Sequence, residues 1–405
     1  MSVSRRDHVQ KILARRLQRD GNDRPVAYPS FDEAVRRIAD ERLHIYAGFD
    51  PTNPHLHFGH AVPLLLLSDL AEMGHRVTVL FGDFTARIGD PTDKAAARTA
   101  LSESEVKRNL KTYTEQVGRI IPKKRFTVAR NSKWLSRMRF DDVLALASRV
   151  TVQQMIARDM FQERMDAGKP IYVSEFLYPL MQGHDSVALD VDGEVGGNDQ
   201  TFNMLVGRDL LRQTKNKDKL VLPTRLLADA SGKKFSKTEG GLVSVDDKPE
   251  VIFEKVSKGI PDDAIRSVFE LCTNVPLEAI AEMQRKAEGG SFREFNLALA
   301  EELVRMYHGD AEAVRAREIY NEARQGRVVA DDEVVTVSGD AATPMTKLLA
   351  SALGISKSEA KRLVDQGGVT RNGTLVTDAL GPSGIADGDV LRVGSHRPFR
   401  VRLSR

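Results

Sequence analysis

Leu43 to Leu67 reads LHIYAGFDPTNPHLHFGHAVPLLLL, and this stretch decides the fold. Apolar residues alternate from Leu43 to Phe49, which is typical of a β-strand. The prolines that follow Asp50 break the strand, and the apolar run from Ala61 to Leu67 predicts a buried helix. The cluster His57-Phe58-Gly59-His60 therefore stands where a strand passes into a helix. In an open α/β sheet ligands bind at that edge, and a helix N-terminus favours anions.

A second stretch that could carry chemistry is residues 232–238, which read Gly-Lys-Lys-Phe-Ser-Lys-Thr. Lys234 and Lys237 place two cations on a loop rich in glycine and hydroxyl groups. The histidine cluster supplies neutral donors at a helix start, where Gly59 lets a ligand approach the backbone. Either cluster alone is a weak signal, since two surface histidines near a turn would look the same. Their order and their separation of roughly 175 residues suit a Rossmann-like domain that carries an insertion.

Composition narrows the classes of protein that the chain could belong to. Its 405 residues suggest two or three domains, and its apolar content of 41% is enough for well-packed cores. The net charge of +3 gives no overall basic field, but residues 343–405 carry ten Lys or Arg against five Asp or Glu. This balance predicts a polyanionic partner at the C-terminal end. The single cysteine, Cys272, excludes an intrachain disulfide and a cysteine-rich zinc site.

Strands and helices alternate along the first half of the chain. Further strands are predicted at residues 76–83, 125–130, 187–191 and 220–223, with helices between them. Such alternation predicts a Rossmann-like, doubly wound parallel sheet. The predicted organisation is an N-terminal helical extension at 1–30, an α/β domain at 31–240, a helical domain at 241–330, a linker at 331–342 and a small α/β unit at 343–405. No apolar run approaches the ~18 residues of a membrane span.

The two clusters together resemble the HIGH and KMSKS signatures of class I aminoacyl-tRNA synthetases. They stand here as His57-Phe58-Gly59-His60 and Lys234-Phe235-Ser236-Lys237-Thr238. Further runs narrow the resemblance to tyrosyl-tRNA synthetases of the bacterial type. These are Tyr46 to Thr52, Ile88 to Pro91, Tyr178 with Met181 to Asp185, and Gly196 to Gln200. The resemblance implies ATP-dependent activation of L-tyrosine to tyrosyl-adenylate, followed by transfer to the 3′ end of tRNA(Tyr).

The resemblance also assigns the residues of a tyrosine pocket. A buried phenolic hydroxyl must be paired, because otherwise the pocket cannot distinguish tyrosine from phenylalanine. Asp185 and Tyr46 occupy the family positions for this pairing. The family positions around the substrate ammonium and carboxylate are Asp90, Tyr178, Gln182 and Gln200. The spacing of Tyr178, Gln182 and Asp185 places all three on one face of a helix, as a shared pocket wall requires.

The ATP site is implied in the same way. Asp199 and Gly197 resemble the loop that binds ribose, and Asp50 is expected near the reacting groups. Thr52, His57 and His60 resemble the catalytic contacts of the first signature, and Lys234 and Lys237 would hold the departing pyrophosphate. The remaining ATP-binding positions are Gly59, Phe235, Ser236 and Thr238. Mg²⁺ is expected to accompany ATP, held by phosphates, with no protein metal site and no tightly bound cofactor.

The C-terminal unit resembles S4-type RNA-binding domains. Lys357, Lys361, Arg362 and Arg371 are the expected contacts with tRNA phosphates, the alternative being a merely solvated basic face. By the same resemblance the insertion, at about 95–170, forms the interface of a homodimer. A cytoplasmic location is expected, with no membrane partner.

Three positions depart from the family pattern, and three rival functions remain. His184 stands where tyrosine is common, Asp93 where glycine is common, and Arg225 where proline is common. The rivals are a synthetase for another aromatic amino acid such as tryptophan, a noncatalytic RNA-binding protein, and an adenylyl-transferring enzyme with another acceptor. Asp185 with Tyr46 argues against an indole, both intact signatures argue against loss of catalysis, and the basic C-terminal unit argues for an RNA acceptor.

Overall fold

The structure, a computed structural model, describes residues 4–90, 101–227, 243–324, 334–394 and 399–404. The chain divides into two compact units, Met1–Gly309 and Asp310–Arg405. None of the helices in the described ranges combines the length and the apolar character that a membrane crossing needs.

A five-stranded parallel sheet forms the centre of the first unit, in the order β3-β2-β1-β4-β5. Its strands are β1 His44–Phe49, β2 Arg76–Phe81, β3 Thr127–Arg130, β4 Gly193–Gly197 and β5 Leu220–Thr224. In the register of the central strand, Ile45 lies opposite Val77 on one side and Gly193 on the other. β2 and β5 are buried almost throughout, as a parallel sheet covered on both faces requires. The predicted doubly wound fold is confirmed.

Helices cover this sheet and continue beyond its last strand. Those before β4 are α1 Arg5–Arg16, α2 Phe31–Asp40, α3 Phe58–Glu72, α4 Glu103–Asn109, α5 Tyr113–Gly118, α6 Ser132–Leu135, α7 Phe140–Ala147, α8 Val152–Ile156, α9 Asp159–Asp166 and α10 Val173–Leu189. Those after β4 are α11 Thr201–Lys215, α12 Pro249–Gly259, α13 Ile265–Cys272, α14 Leu277–Glu288 and α15 Phe292–His308. The last four pack on one another, in agreement with the helical periodicity of this part of the sequence.

Residues 187–191 do not form the predicted strand. α10 continues through Leu189 and ends at Asp190, whose φ of 50° is left-handed, and β4 begins only at Gly193. Val187 and Leu189 pack against the buried cluster around Tyr46 as the last turn of the helix. A run of five mostly apolar residues does not distinguish a buried strand from a buried helical turn, so the sequence pattern alone was misleading here.

The second unit is a small mixed α/β structure. It contains α16 Asp310–Arg324, α17 Met345–Leu353 and α18 Lys357–Asp365. Its sheet has the order β6-β10-β9-β7-β8, with β6 Val334–Ser338, β7 Val369–Arg371, β8 Thr374–Leu375, β9 Val390–Val393 and β10 Phe399–Ser404. Buried side chains from α17, α18 and the inner face of the sheet form one core, which includes Leu348, Val364 and Val393.

The predicted linker at 331–342 is wrong where residues 334–338 form β6. This strand pairs in parallel with β10, so that Val335 lies opposite Val401. Val337 is buried in the core of the unit, which explains why the segment is ordered as a strand. Its partner lies about sixty residues later in the chain, and a local pattern cannot reveal such a non-local pairing. The other predicted domain bounds stay predictions.

Candidate active site

The candidate site lies at the carboxyl edge of the central sheet, between β1 and β4. These two strands are neighbours at the centre of the sheet. The strand that follows β1 in the chain, β2, lies on one side of this pair, and the strand that follows β4, β5, lies on the other side. Such a topological switch point is where open α/β sheets bind ligands. Asp50 follows β1 directly, and Gly197 ends β4. The structure therefore places these two predicted residues at this edge, and their role in binding stays a prediction.

The two signature histidines cap the N-terminus of α3. His57 is the N-cap residue, and its Nδ1 accepts a hydrogen bond from the backbone N–H of Gly59 at 3.1 Å. The Nδ1 of His60 accepts from the backbone N–H of His57 at 3.2 Å, and the two rings stack with centroids 3.8 Å apart. Because both Nδ1 atoms accept, each neutral ring carries its proton on Nε2. The cluster thus presents imidazole donors at a helix N-terminus, which suits an anionic ligand.

Asp50 is held by two hydroxyl groups. The hydroxyl of Thr85 donates to its Oδ1 at 2.7 Å, and that of Tyr178 donates to its Oδ2 at 2.9 Å. Burial raises the pKa of Asp50 to about 7, although both hydrogen bonds act in the opposite direction. Gly82 is needed beside this carboxylate, since a Cβ at that position would collide with Asp50 and Thr85.

Asp185 lies buried on α10 and accepts hydrogen bonds at both carboxylate oxygens. The indole Nε1 of Trp134 donates to Oδ1 at 2.7 Å, and the amide of Asn131 donates to Oδ2 at 3.3 Å. Desolvation raises the pKa of Asp185 well above its usual value, which these two donors partly offset. Each oxygen keeps capacity for one more donor, so the arrangement can accept a hydroxyl group of a ligand.

Tyr46 lies fully buried on β1 beside this carboxylate. Its hydroxyl is 2.9 Å from the hydroxyl of Ser186, and burial raises the pKa of Tyr46 well above its usual value. Ser186 in turn contacts an ion pair between Lys219, directly before β5, and Glu194 on β4. The predicted pair of Tyr46 and Asp185 is thus placed on neighbouring elements, β1 and α10.

A chain of amide side chains extends from this ion pair toward Asp90. The Nε2 of Gln182 donates to Glu194 at 3.1 Å, and the Nδ2 of Asn203 donates at 3.0 Å to the carbonyl oxygens of both Gln182 and Gln200. The Nε2 of Gln200 donates to Asp90 at 2.5 Å. These contacts fix which end of each amide is donor and which is acceptor. Asp90, Gln182 and Gln200 are therefore joined in one network, whereas Tyr178, the third residue predicted at the substrate ammonium, donates to Asp50.

The remaining ATP-site predictions are less completely placed. Asp199 lies in the turn Asn198–Gln200, and a Cβ on Gly197 would lie 2.5 Å from its carboxylate oxygen, so a larger residue there would displace the Asp199 side chain. Thr52 is exposed, and its backbone N–H donates to the carbonyl of Asp50 at 2.8 Å. The predicted residues of the second signature, Lys234, Phe235, Ser236, Lys237 and Thr238, lie outside the described residues.

The predicted RNA-contacting residues fall into two groups. Lys357, Lys361 and Arg362 are exposed on α18. Arg371 on β7 is tied into its own unit, since its guanidinium donates to Asp389 at 2.7 Å and to the carbonyl of Ser383 at 3.2 Å. The three helical residues therefore form the more accessible basic group.

The structure adds residues that the sequence reading missed. Trp134 and Asn131 bind Asp185, and Asn131 follows β3 directly, so its place after a strand was a usable signal. Ser186, Glu194, Asn203 and Lys219 gave no such signal, because their roles depend on contacts between separate elements. Lys219 in particular closes a run of charged and polar residues, Lys215 to Lys219, that is typical of a solvated loop.

Two of the three departures from the family pattern have a structural setting. His184 lies on α10, where burial lowers the pKa of its imidazole and where Asp142 and Lys215 are its charged neighbours. Arg225 follows β5, and its guanidinium donates to the carbonyl of Arg15 at 2.6 Å and to Glu270 at 3.2 Å. It thereby connects the end of the sheet with α1 and α13. Asp93 lies outside the described residues.

Known proteins resemble this chain over nearly its whole length. The profile of the family described as class I tRNA synthetases (W and Y) matches residues 39–325, and that of the S4 domain matches residues 346–379. A tyrosine–tRNA ligase of Thermotoga maritima is 39% identical over 92% of this chain and 94% of its own length. One of Burkholderia pseudomallei is 39% identical over 98% of this chain and 96% of its own length.

Solved structures agree on the fold. A C-terminally truncated mitochondrial tyrosyl-tRNA synthetase of Aspergillus nidulans superimposes with a TM-score of 0.64 at 23% identity, over 79% of this chain and 94% of its own. A tyrosyl-tRNA synthetase of Archaeoglobus fulgidus, solved with L-tyrosine, superimposes with a TM-score of 0.59 at 22% identity, over 77% and 99%. The resemblance inferred from the sequence motifs is thus confirmed, and this chain belongs to the tyrosyl-tRNA synthetase family of class I aminoacyl-tRNA ligases.

Proposed function

We propose that this chain activates L-tyrosine with ATP, releasing pyrophosphate, and transfers the amino acid from tyrosyl-adenylate to the 3′ end of tRNA(Tyr) in the cytoplasm. The observation that carries the proposal is the buried carboxylate of Asp185, whose two oxygens are already oriented by Trp134 and Asn131. A buried carboxylate fixed in this way can accept a hydrogen bond from a phenolic hydroxyl group. Phenylalanine would leave it without that partner, a rule for which tyrosyl-tRNA synthetases are themselves the standard example.

The substrate ammonium fits the neighbouring acceptors. Tyr178, Gln182 and Asp90 supply hydroxyl, amide and carboxylate oxygens. The hydroxyl of Tyr178 donates to Asp50 and the amide of Gln182 donates to Glu194, while Asp90 accepts from Gln200. With their protons engaged in this way, the oxygens of Tyr178 and Gln182 can act as acceptors for a cation, and the carboxylate of Asp90 adds negative charge. We expect the ammonium to bind here, with the tyrosine carboxylate directed toward Asp50, Gln200 and the α-phosphate of ATP.

ATP would lie along the carboxyl edge of the sheet. The Nε2–H groups of His57 and His60 at the N-terminus of α3 suit its phosphates and ribose, and Asp199 suits the ribose hydroxyls. Gly59 and Gly197 permit close approach of the backbone. Thr52 and the second signature, with Lys234 and Lys237, would complete the phosphate contacts.

Mg²⁺ would arrive with ATP rather than occupy a protein cage. The carboxylates of Asp50 and Asp90 are already engaged by hydroxyl and amide donors. Across the described ranges, no three His, Cys, Asp or Glu side chains are grouped as a bound metal would need. Magnesium commonly keeps its waters and binds substrate phosphates with few protein ligands, which fits this arrangement.

The activation step needs no covalent nucleophile from the protein. The tyrosine carboxylate is already ionised, attacks the α-phosphorus, and displaces pyrophosphate, which leaves with the bonding electron pair. Catalysis then consists of positioning both substrates and stabilising negative charge that grows on the phosphates. Donors at a helix N-terminus and the two lysines of the second signature are suited to that task.

Exchange of labelled pyrophosphate into ATP tests the proposal. The purified full chain is incubated with ATP, Mg²⁺, labelled pyrophosphate and one amino acid at a time: tyrosine, phenylalanine or tryptophan. We expect exchange with tyrosine alone. Exchange with tryptophan would keep the chemistry and overturn the specificity, while no exchange with any of the three would favour a noncatalytic RNA-binding role.

The basic face of α18 is proposed to bind tRNA phosphates. Replacing Lys357, Lys361 and Arg362 together with alanine is expected to raise the KM for tRNA by roughly ten- to a hundredfold and to reduce its salt dependence, because each lost phosphate contact removes counterion release. Pyrophosphate exchange, which uses no tRNA, should be unchanged. Arg36→Ala, which removes an exposed arginine paired with Glu33 on α2, serves as the control. An unchanged KM for tRNA would contradict this assignment.

The insertion is proposed to form a homodimer interface. Between residues 140 and 173 the large apolar side chains of Phe140, Leu144, Val152, Tyr172 and Val173 are between 54% and 76% exposed. Exposed apolar side chains concentrated in one stretch of the sequence support an interface there, because contiguous apolar patches mark interaction sites.

Introducing charge into that surface should separate the subunits. For Phe140→Asp/Leu144→Asp we expect the mass measured by light scattering to fall from that of two chains to that of one, since buried unpaired carboxylates oppose association. Leu375→Asp, which changes an apolar residue 50% exposed in the second unit, should leave the mass unchanged. A wild-type protein that is monomeric, or a double variant that stays dimeric, would refute the interface.

A further inference from the structure

A fully buried ion pair lies directly behind the proposed tyrosine pocket. Lys219, directly before β5, and Glu194 on β4 are 0% and 2% exposed, and their Nζ and Oε2 atoms are in contact. Burying two charges is costly unless further hydrogen bonds satisfy them, so such a pair is rarely incidental. Both residues have additional partners, and all of those partners belong to α10 or to the pocket.

Ser186 connects this ion pair to Tyr46. The ammonium of Lys219 donates to the hydroxyl of Ser186 at 2.6 Å, and that hydroxyl is 2.9 Å from the hydroxyl of Tyr46. The Ser186 hydroxyl has a second possible acceptor, the Oε2 of Glu194, which is more distant at 3.3 Å. A hydroxyl group has only one proton to give, so its choice between these two acceptors decides the orientation of Tyr46.

The ammonium favours donation toward Tyr46. A hydroxyl that accepts from a cation becomes a stronger donor to its closest other partner, because hydrogen bonds in a chain polarise one another. The same ammonium also neutralises the carboxylate of Glu194, which otherwise would attract the protons of Ser186 and Tyr46. Glu194 lies near enough to Tyr46 to contribute to the raised pKa of that phenol.

We propose that Lys219 is a positioning residue for tyrosine selection, acting through the donor chain Lys219, Ser186, Tyr46. With Ser186 donating to it, Tyr46 directs its own proton into the pocket, toward the phenolic oxygen of the substrate. At the same time, Asp185 accepts a hydrogen bond from the phenolic hydroxyl of the substrate. The substrate hydroxyl is then recognised both as donor and as acceptor, which a single carboxylate could not achieve.

The inference rests on the proposed tyrosine pocket, so the test must distinguish a failure of the donor chain from a failure of the pocket assignment. The measured quantity is kcat/KM for amino-acid-dependent pyrophosphate exchange with L-tyrosine and with 4-amino-L-phenylalanine. The amino group of the analogue can donate to Asp185 but is a weak acceptor, because its lone pair is delocalised into the ring. Its activation should therefore be insensitive to a donor at Tyr46. The ratio of the two values reports the acceptor interaction alone.

Ser186→Ala removes the link while keeping the ion pair. We expect its kcat/KM for tyrosine to fall about tenfold, the typical worth of one hydrogen bond, with little change for the analogue. Lys219→Met should lower the same ratio, and Lys219→Gln, which keeps a neutral donor of similar size, should restore part of it. If these residues were purely structural, the substitutions would lower kcat/KM equally for both substrates and leave the ratio unchanged. That result would overturn the inference.

Tyr46→Phe distinguishes failure of the inference from failure of the pocket. If Tyr46→Phe lowers the ratio and Ser186→Ala does not, the pocket stands and the donor chain is refuted. If Tyr46→Phe leaves the ratio unchanged, the phenol does not meet Tyr46, and the pocket assignment fails with the inference that depends on it. Should Lys219→Met fail to fold, Ser186→Ala still decides the matter.

Discussion

Replacing Asp185 with alanine is expected to lower kcat/KM for tyrosine in pyrophosphate exchange by roughly 10²- to 10⁴-fold. The substrate phenol loses a charged acceptor, which typically contributes about 1.5–3 kcal/mol, and the donors of Trp134 and Asn131 are left without their partner. The KM for ATP should change little, since Asp185 lies on the tyrosine side of the site.

Asp185→Asn should be nearly as damaging, and this distinguishes the proposed geometry from a simple need for a polar group. Both oxygens of Asp185 accept hydrogen bonds, one from an indole and one from an amide. An asparagine has one oxygen and one NH₂ group, so in either orientation a donor faces a donor. The matched control is Asp209→Ala, which removes an exposed carboxylate from α11 and should leave exchange unchanged. An Asp185→Asn variant with near wild-type activity would contradict this pocket.

The sequence predicted those parts of the fold that depend on local patterns. Buried strands, the helix after His57 and the shared helical face of Tyr178, Gln182 and Asp185 all follow from spacing within one element. The parallel arrangement followed from the alternation of these elements. Prediction failed at residues 187–191, where the apolar pattern was too short to identify the element. It also failed at β6, because the partner strand lies far away in the sequence.

The candidate site was predictable only in part, for a related reason. Tyr46 and Asp50 belong to a conspicuous motif, but the groups that orient them, such as Ser186 and Thr85, are common residues that act across separate elements. Lys219 was missed because charge in a sequence normally indicates solvent exposure. Only the three-dimensional structure shows that this lysine, at the entrance to β5, is buried against Glu194.

Lys219→Met is expected to destabilise the first unit by about 3–5 kcal/mol, because it leaves the carboxylate of Glu194 buried without its counterion. The pair lies in the interior, where water cannot compensate for the lost ammonium. Burial lowers the pKa of Lys219. The carboxylate of Glu194 acts in the opposite direction, so each charge is stabilised by the other. Urea unfolding can be followed by the fluorescence of Trp134, the single tryptophan, which packs against the cluster that contains Tyr46.

A double variant makes the assignment quantitative. Lys219→Met/Glu194→Gln removes both charges and keeps an amide oxygen for Gln182, so it should recover most of the lost free energy of unfolding, since replacing a whole buried pair is often close to neutral. The control is Lys217→Met, two residues earlier, where the lysine pairs with Asp192 near the surface and the expected cost is about 0–1 kcal/mol. If Lys219→Met costs no more than Lys217→Met, the ion pair does not stabilise the unit. A costly single variant that the second substitution fails to rescue would mean that Lys219 acts through contacts other than Glu194.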